Sequence, residues 1–256
     1  MKNRHKNILR TILLLSTALL FAGCDTTQTT SGKDYISKYE PASAFASNSR
    51  IDHEVREIAS VEPILRFPAR IGLAKIHNGQ ISNLSEAEAE AWTEATSELG
   101  SAFGEFIPVS PLIAEMVYTK SSNVKGQNAA EVVRKIRLGS ARQHLDAVLI
   151  YEVFSKTDQK TLPTAVANWT IIGAYIVPSK ESKTVGYANA LLVDVRNGYP
   201  YGTADARATE IDLSTMVNQY SNKRRQGNEA QVAAALNLVP EVVTMFEKLQ
   251  KELPKE

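Results

Sequence analysis

Leu191-Leu192-Val193-Asp194-Val195-Arg196-Asn197-Gly198 is an apolar run that ends in a turn dipeptide. Asn-Gly supplies the positive φ angles of a tight hairpin, and here it separates two extended runs, 185–195 and 199–209. With Asn197 and Gly198 as the two loop residues, facing positions have numbers that sum to about 395, which sets Asp194 beside Tyr201 and Asp205 beside Ala190. The carboxylates of Asp194 and Asp205 then lie several rungs apart and do not make an acid pair. A third extended run, 169–177, precedes these two across Pro178-Ser179-Lys180-Glu181-Ser182-Lys183, so an antiparallel meander is expected. Tyr175, Tyr187, Tyr199 and Tyr201 make it aromatic, either for packing against a helix or as a contact surface.

Upstream of the meander the pattern alternates between strand and helix. Residues 145–154 are apolar and β-branched and read as a buried strand. Residues 69–76 read as another, with Ile71, Leu73 and Lys75 pointing one way and Gly72, Ala74 and Ile76 the other; both faces are mostly apolar, as in the middle of a covered sheet. His77-Asn78-Gly79 turns the chain. Ser85 with Glu88 has the form of a capping box, with Leu84 and Ala89 placed as a staple, and opens a helix through Ala91, Trp92, Ala95, Leu99, Ala102 and Phe103 that stops at Gly104. Glu86, Glu88 and Glu90 fall in its first turns, where carboxylates favour the positive end of the helix dipole. Residues 106–109 read as a short strand, and Ser110-Pro111 as the N-cap and first position of a short helix.

A longer helix is expected over 128–144, with Ala129, Val132, Val133, Ile136 and Ser140 on one stripe and Arg134, Lys135, Arg137 and Arg142 on a basic face that reads as solvated, the alternative being a contact for an acidic partner or anionic lipid. The C-terminal region returns to helix in two segments. Leu213, Met216, Val217 and Tyr220 belong to the first, and the second runs from Val232 to Leu249 with Pro240 kinking or splitting it.

The N-terminus carries a different signal. Lys2, Arg4, Lys6 and Arg10 stand before an apolar core from Ile12 to Ala22, which is about 11 residues and short for a membrane span. Leu20-Phe21-Ala22-Gly23-Cys24 follows, holding the single cysteine of the chain. This stretch resembles the lipobox of bacterial lipoproteins. The resemblance implies a signal peptide over 1–23, cleavage between Gly23 and Cys24, and a thioether-linked diacylglycerol on Cys24. Residues 24–60 are expected to form the lipidated cysteine and a flexible tether, because 25–50 are polar and lack an apolar period. Residues 61–256 are expected to form one domain. Asp25, directly after the cysteine, resembles the sorting signal that retains enteric lipoproteins in the inner membrane; the outer membrane is the alternative.

Removing residues 1–23 takes away 4 of the 29 Lys and Arg and none of the 28 Asp and Glu, leaving 25 against 28. A chain of that balance has no basic excess to attract nucleic acid. With Cys24 modified no thiol remains for disulfides or metal sites. Among His53, His77 and His144 none has a second ligand at helical spacing, so no metal is expected. Gly-x-Ser-x-Gly, phosphate-loop and Gly-x-Gly-x-x-Gly patterns are absent. Leu138-Gly139-Ser140-Ala141 reads as small residues permitting close helix packing. The expectation is no enzyme and no cofactor.

The expected fold is therefore α/β with an α+β tendency: a mixed sheet of about five to six strands with a C-terminal meander, flanked by helices. On this order, and on Leu191 to Gly198 running into an Asn-Gly turn, residues 66–250 are similar to the α/β domain of CsgG-like and TolB-amino-terminal-like periplasmic proteins, PelC-like lipoproteins among them. There is also a likeness to the rhombotarget lipoproteins, which have no assigned mechanism. CsgG-like pores add membrane-spanning hairpins, and the polar loop 155–167 offers no such run. The resemblance implies a lipid-anchored scaffold or assembly subunit facing the periplasm, with envelope proteins or further copies of itself as partners. The alternative is a binding module for a glycan or lipid.

Overall fold

The computed structural model of the chain describes residues 24–38, 50–117, 129–161, 180–214 and 219–254. In chain order these form β1 (Cys24–Thr27), α1 (Gly32–Ser37), α2 (Arg50–Ala59), β2 (Ala69–His77), β3 (Gln80–Ser82), α3 (Glu86–Leu99), β4 (Gly104–Pro108), α4 (Pro111–Val117), α5 (Ala129–Arg142), β5 (Ala147–Thr161), β6 (Lys180–Asp194), β7 (Pro200–Ser214) and α6 (Gln219–Glu252). The strands make one seven-stranded sheet in the order β1-β7-β6-β5-β2-β3, with β4 also paired to β2. Pairings of β2 with β4 and with β5 are parallel, and the others are antiparallel. The mixed α/β sheet is as expected, with seven strands rather than five to six, and its meander is β5, β6 and β7, with β5 beside β6 where the run 169–177 was expected.

Both sheet faces carry a core, because β2 and β5 are apolar on both sides. Ile71, Leu73, Leu149, Tyr151 and Leu192 point to one face, where Trp92 of α3 and Leu238, Val242, Phe246 and Leu249 of α6 cover them. Ala74, Val148, Ile150 and Val193 point to the other, against Val132 and Ile136 of α5. Four rings, Phe67, Phe103, Phe106 and Phe246, join α6 to the strand edge with centroids 4.8–6.4 Å apart. Such edge and tilted pairs add specificity beyond burial.

Several local expectations hold. The capping box is formed by Ser85 and Glu88. Ser110 Oγ accepts from Ile113 N at the start of α4. Asn78 and Gly79 take φ of 52° and 74°, the two left-handed positions of a tight hairpin, and lead into β3, a strand the sequence pattern hid.

Other expectations are corrected. α3 ends at Gly100, with φ 76°, and Gly104 instead opens β4, where a side chain would meet Ala69 O at 2.1 Å. Ala89 is exposed, so it is no staple partner for Leu84. The stretch 180–183 belongs to β6 and Leu213 to β7, because three long strands pair over 15 residues each and backbone bonding overrides polar composition. The run 169–177, Tyr175 included, lies outside the described residues. α6 continues through Pro240, whose missing N–H is tolerated on an exposed turn. Lys135 is 7% exposed rather than solvated, and it bonds Glu115 of α4.

The segment expected as a tether also differs. β1 pairs with β7 from Cys24↔Asp205 to Thr27↔Gly202, followed by α1, and α2 lies further on. Its apolar content is low because what secures it is backbone pairing and long-range polar contacts. Thr26 and Thr203 hydroxyls meet at 2.8 Å, Gln28 N donates to Tyr201 O, and Tyr199 Oη donates to Thr30 O.

Candidate functional site

Cys24 is the first residue of β1 and begins the described fold on the free side of β7. Asp25 is next, and its Oδ2 lies 2.7 Å from Lys248 Nζ of α6, with the Asp25 side chain 11% exposed. Cys24 and Asp25 are thus part of the sheet, at the margin where β1 and α6 meet. Gly23 lies outside the described residues.

The meander turn is a second polar centre. Asp194 is fully buried. Its Oδ1 accepts from Arg196 N, Arg196 Nε and Asn197 N, and its Oδ2 from Arg196 Nη2 and Tyr201 Oη. Tyr201 Oη in turn accepts from Ile64 N and Leu65 N at 3.0 and 2.7 Å. Burial, with Asp194 beside it, pushes the Tyr201 hydroxyl well above its ordinary value. Arg196 is held above its ordinary value, chiefly by its bond to Asp194.

Asp194 and Tyr201 meet as expected, but by a different register. Asp194 N donates to Tyr199 O, Asn189 faces Asp205, and a bulge falls at Leu192/Val193. The connection is five residues, Val195–Tyr199, with φ positive at Gly198 only. Asn197 stays out of the left-handed region because its N–H serves Asp194 while its Oδ1 accepts from Tyr199 N and its Nδ2 donates to Glu62 O. Asp194 and Asp205 remain far apart. Tyr199 and Tyr201 pack in the core, whereas Tyr187 stacks on Phe154 at 5.1 Å on the other sheet face.

Beside this turn is a cavity of about 620 Å³ between α5 and the β6–β7 connection. Arg134, Arg137 and Arg196 line it with Leu138, Leu145 and Val195, and His144 and Asp146 complete the rim. Arg137 Nη2 donates to Val195 O at 3.1 Å. Asp146 Oδ2 accepts from Arg70 N, and Arg70 Nη1 reaches the His144 carbonyl. The two walls are 58 residues apart in sequence at the Arg137–Val195 bond, so no local motif marks the cavity.

Glu88 is a polar residue whose role the helix-dipole reading missed. It is 1% exposed, and its Oε2 accepts from Lys75 Nζ at 2.6 Å, Ser85 N at 2.8 Å and Ser85 Oγ at 2.7 Å, while Tyr151 Oη donates to its Oε1. Burial would raise its carboxyl, but the Lys75 and Ser85 bonds outweigh that and hold it below its ordinary value. The period-two reading of β2 did mark Lys75 as inward-pointing, which is the signal that a buried partner had to exist. With every oxygen engaged, the cluster is a structural anchor.

Among the described residues no group of three His, Cys, Asp or Glu could hold a metal ion, and no helix is long and apolar enough to cross a membrane. His77 sits at the β2–β3 turn, His144 on the cavity rim and His53 on α2, which places them apart.

No family model matches the chain, and neither does any curated protein. Among solved structures it is similar to the PelC dodecamer from Paraburkholderia phytofirmans, at 11% identity and TM-score 0.32, covering 72% of this chain and 91% of that one. It is also similar to lipoprotein GNA1162 from Neisseria meningitidis, at 22% identity and TM-score 0.30, covering 60% and 99%. A third is the hypothetical protein CT253 from Chlamydia trachomatis, at 11% identity and TM-score 0.26, covering 72% and 94%.

Proposed function

We propose that this chain is an envelope lipoprotein, anchored by diacylglycerol on Cys24 after cleavage at Gly23-Cys24 and facing the periplasm, where it acts as a non-catalytic scaffold or assembly subunit. The observation that carries the reading is the stretch Leu20-Phe21-Ala22-Gly23-Cys24 behind a basic and then apolar leader, the order of a lipoprotein signal. Its cysteine pairs with Asp205 of β7 at the edge of the sheet. An anchor there holds the body at the lipid surface without a spacer, and two or more acyl chains give stable attachment. The polar centres at Glu88 and Asp194 are saturated by internal donors, which suits a structural role better than a reaction site.

The test is labelling of cells with radioactive palmitate, followed by fractionation. The wild-type chain takes the label and sediments with membranes, and Cys24→Ser takes none and leaves the membrane fraction. Equal labelling of both forms would overturn the anchor. For the assembly role, crosslinking in intact cells should recover envelope proteins or further copies of this chain. A chain that stays monomeric and recovers none would overturn that part.

A further inference from the structure

We propose that the cavity between α5 and the β6–β7 connection binds an anion of the phosphate class whose remaining body is apolar. This goes beyond the anchoring role and does not depend on it. Arg134 and Arg137 lie three residues apart, hence one above the other on α5, and Arg196 faces them from the opposite wall. A guanidinium stays charged and presents a planar fork of donors matched to phosphate oxygens.

Arg137 is set in place before any ligand arrives. Its Nη2 is held by Val195 O, and at Gly198 a side chain would come within 3.0 Å of its Nη1, so glycine leaves the space the guanidinium occupies. Its Nε is buried and has no hydrogen-bond partner. An unmatched buried donor on a permanent cation is costly, and an anion in the adjoining cavity offsets part of that cost by its charge. Arg134 is exposed.

The opposing charges are few. Asp194 behind Arg196 already accepts five hydrogen-bond donors. Asp146 is the one acidic residue of the lining, and one of its oxygens is taken by Arg70 N. With Arg196 paired to Asp194, Arg134 and Arg137 are set against the single carboxylate of Asp146, and the net positive lining favours an anionic head. Leu138, Leu145 and Val195 supply an apolar wall, and a cavity of about 620 Å³ is of the size that holds a small organic molecule.

A phosphate head on an apolar body has two sources, a free organophosphate and the headgroup of a phospholipid. Titration calorimetry of the full chain carrying Cys24→Ser, with phenyl phosphate as probe, tests the shared chemistry. Saturable binding is expected, weakened about tenfold to a hundredfold by Arg134→Gln and by Arg137→Gln, with Arg137→Lys recovering part of the loss. Vesicles of phosphatidylglycerol against phosphatidylcholine then separate the sources. A preference for phosphatidylglycerol that disappears in the same variants assigns the site to a lipid headgroup, and equal binding to both vesicles assigns it to a free organophosphate. Absence of saturable binding to phenyl phosphate, or binding undiminished in an Arg134→Gln protein of unchanged melting temperature, overturns the proposal.

Discussion

Lys75 and Glu88 are 12% and 1% exposed, so each is the other's main compensation for leaving water. Replacing Glu88 by Ala strands a buried ammonium and should cost about 3–5 kcal/mol, whereas Tyr151→Phe removes one longer bond and should cost about 1 kcal/mol; chemical denaturation measures both. The Glu88 carboxyl is held below its ordinary value in the folded chain. Its stabilisation is therefore present above the unfolded carboxylate value of about 4.3 and is lost as pH falls through the lower folded value. Stability measured from pH 6 downward should fall in that window, and Glu88→Gln should flatten the fall. At the meander turn, Tyr201→Phe leaves Ile64 N, Leu65 N and Asp194 Oδ2 each short of a partner. A loss of about 2–3 kcal/mol is expected, read from the shift of the urea midpoint.

At the scale of elements, α6 lies close against β6 at Gly186. A side chain on Gly186 would lie 2.0 Å from the carbonyl oxygen of Ala230, which is backbone and cannot swing aside. Gly186→Ala should lower stability by about 1–3 kcal/mol, by forcing α6 off the sheet; a melting curve unchanged from wild type would contradict that packing. How legible each element was follows the same logic of local against distant causes. The Ser85 capping box, the Ser110-Pro111 start and the doubly apolar β2 and β5 could be read because their determinants lie within a few residues. Two Asn-Gly dipeptides behave oppositely: Asn78-Gly79 makes the two-residue hairpin, and Asn197-Gly198 does not, because Asp194 and Glu62 draw off its polar groups. That second cause sits 135 residues away and is invisible to a turn rule. β1 was hidden for a similar reason, since Cys24-Asp25-Thr26-Thr27 has no apolar period and becomes a strand only where β7 offers an edge. The cavity was hidden too, with Arg134 and Arg137 read as a solvated face before Arg196 was placed opposite.

For the molecule as a whole, the point of greatest consequence is that its first strand is tied to its last helix. Asp25 meets Lys248 across 223 residues, yet it also raises the carboxyl of Glu241 on the same helix, second only to burial as a cause. The two effects oppose each other, and Lys248 is 45% exposed, so Asp25→Ser should change stability by less than about 1 kcal/mol. That near-neutrality makes Asp25 usable as a probe of sorting, because a changed location would not be a by-product of unfolding. Lys248→Ala separates the two ways Asp25 can act. It breaks the ion pair and leaves the Cys24-Asp25 sequence intact. If sorting machinery reads Asp25 from an extended chain, fractionation should show Asp25→Ser moving from inner to outer membrane and Lys248→Ala staying with the wild type. If the signal is the folded edge of β1 on β7, both variants should move together. Identical distribution of all three forms would leave Asp25 with its structural role alone.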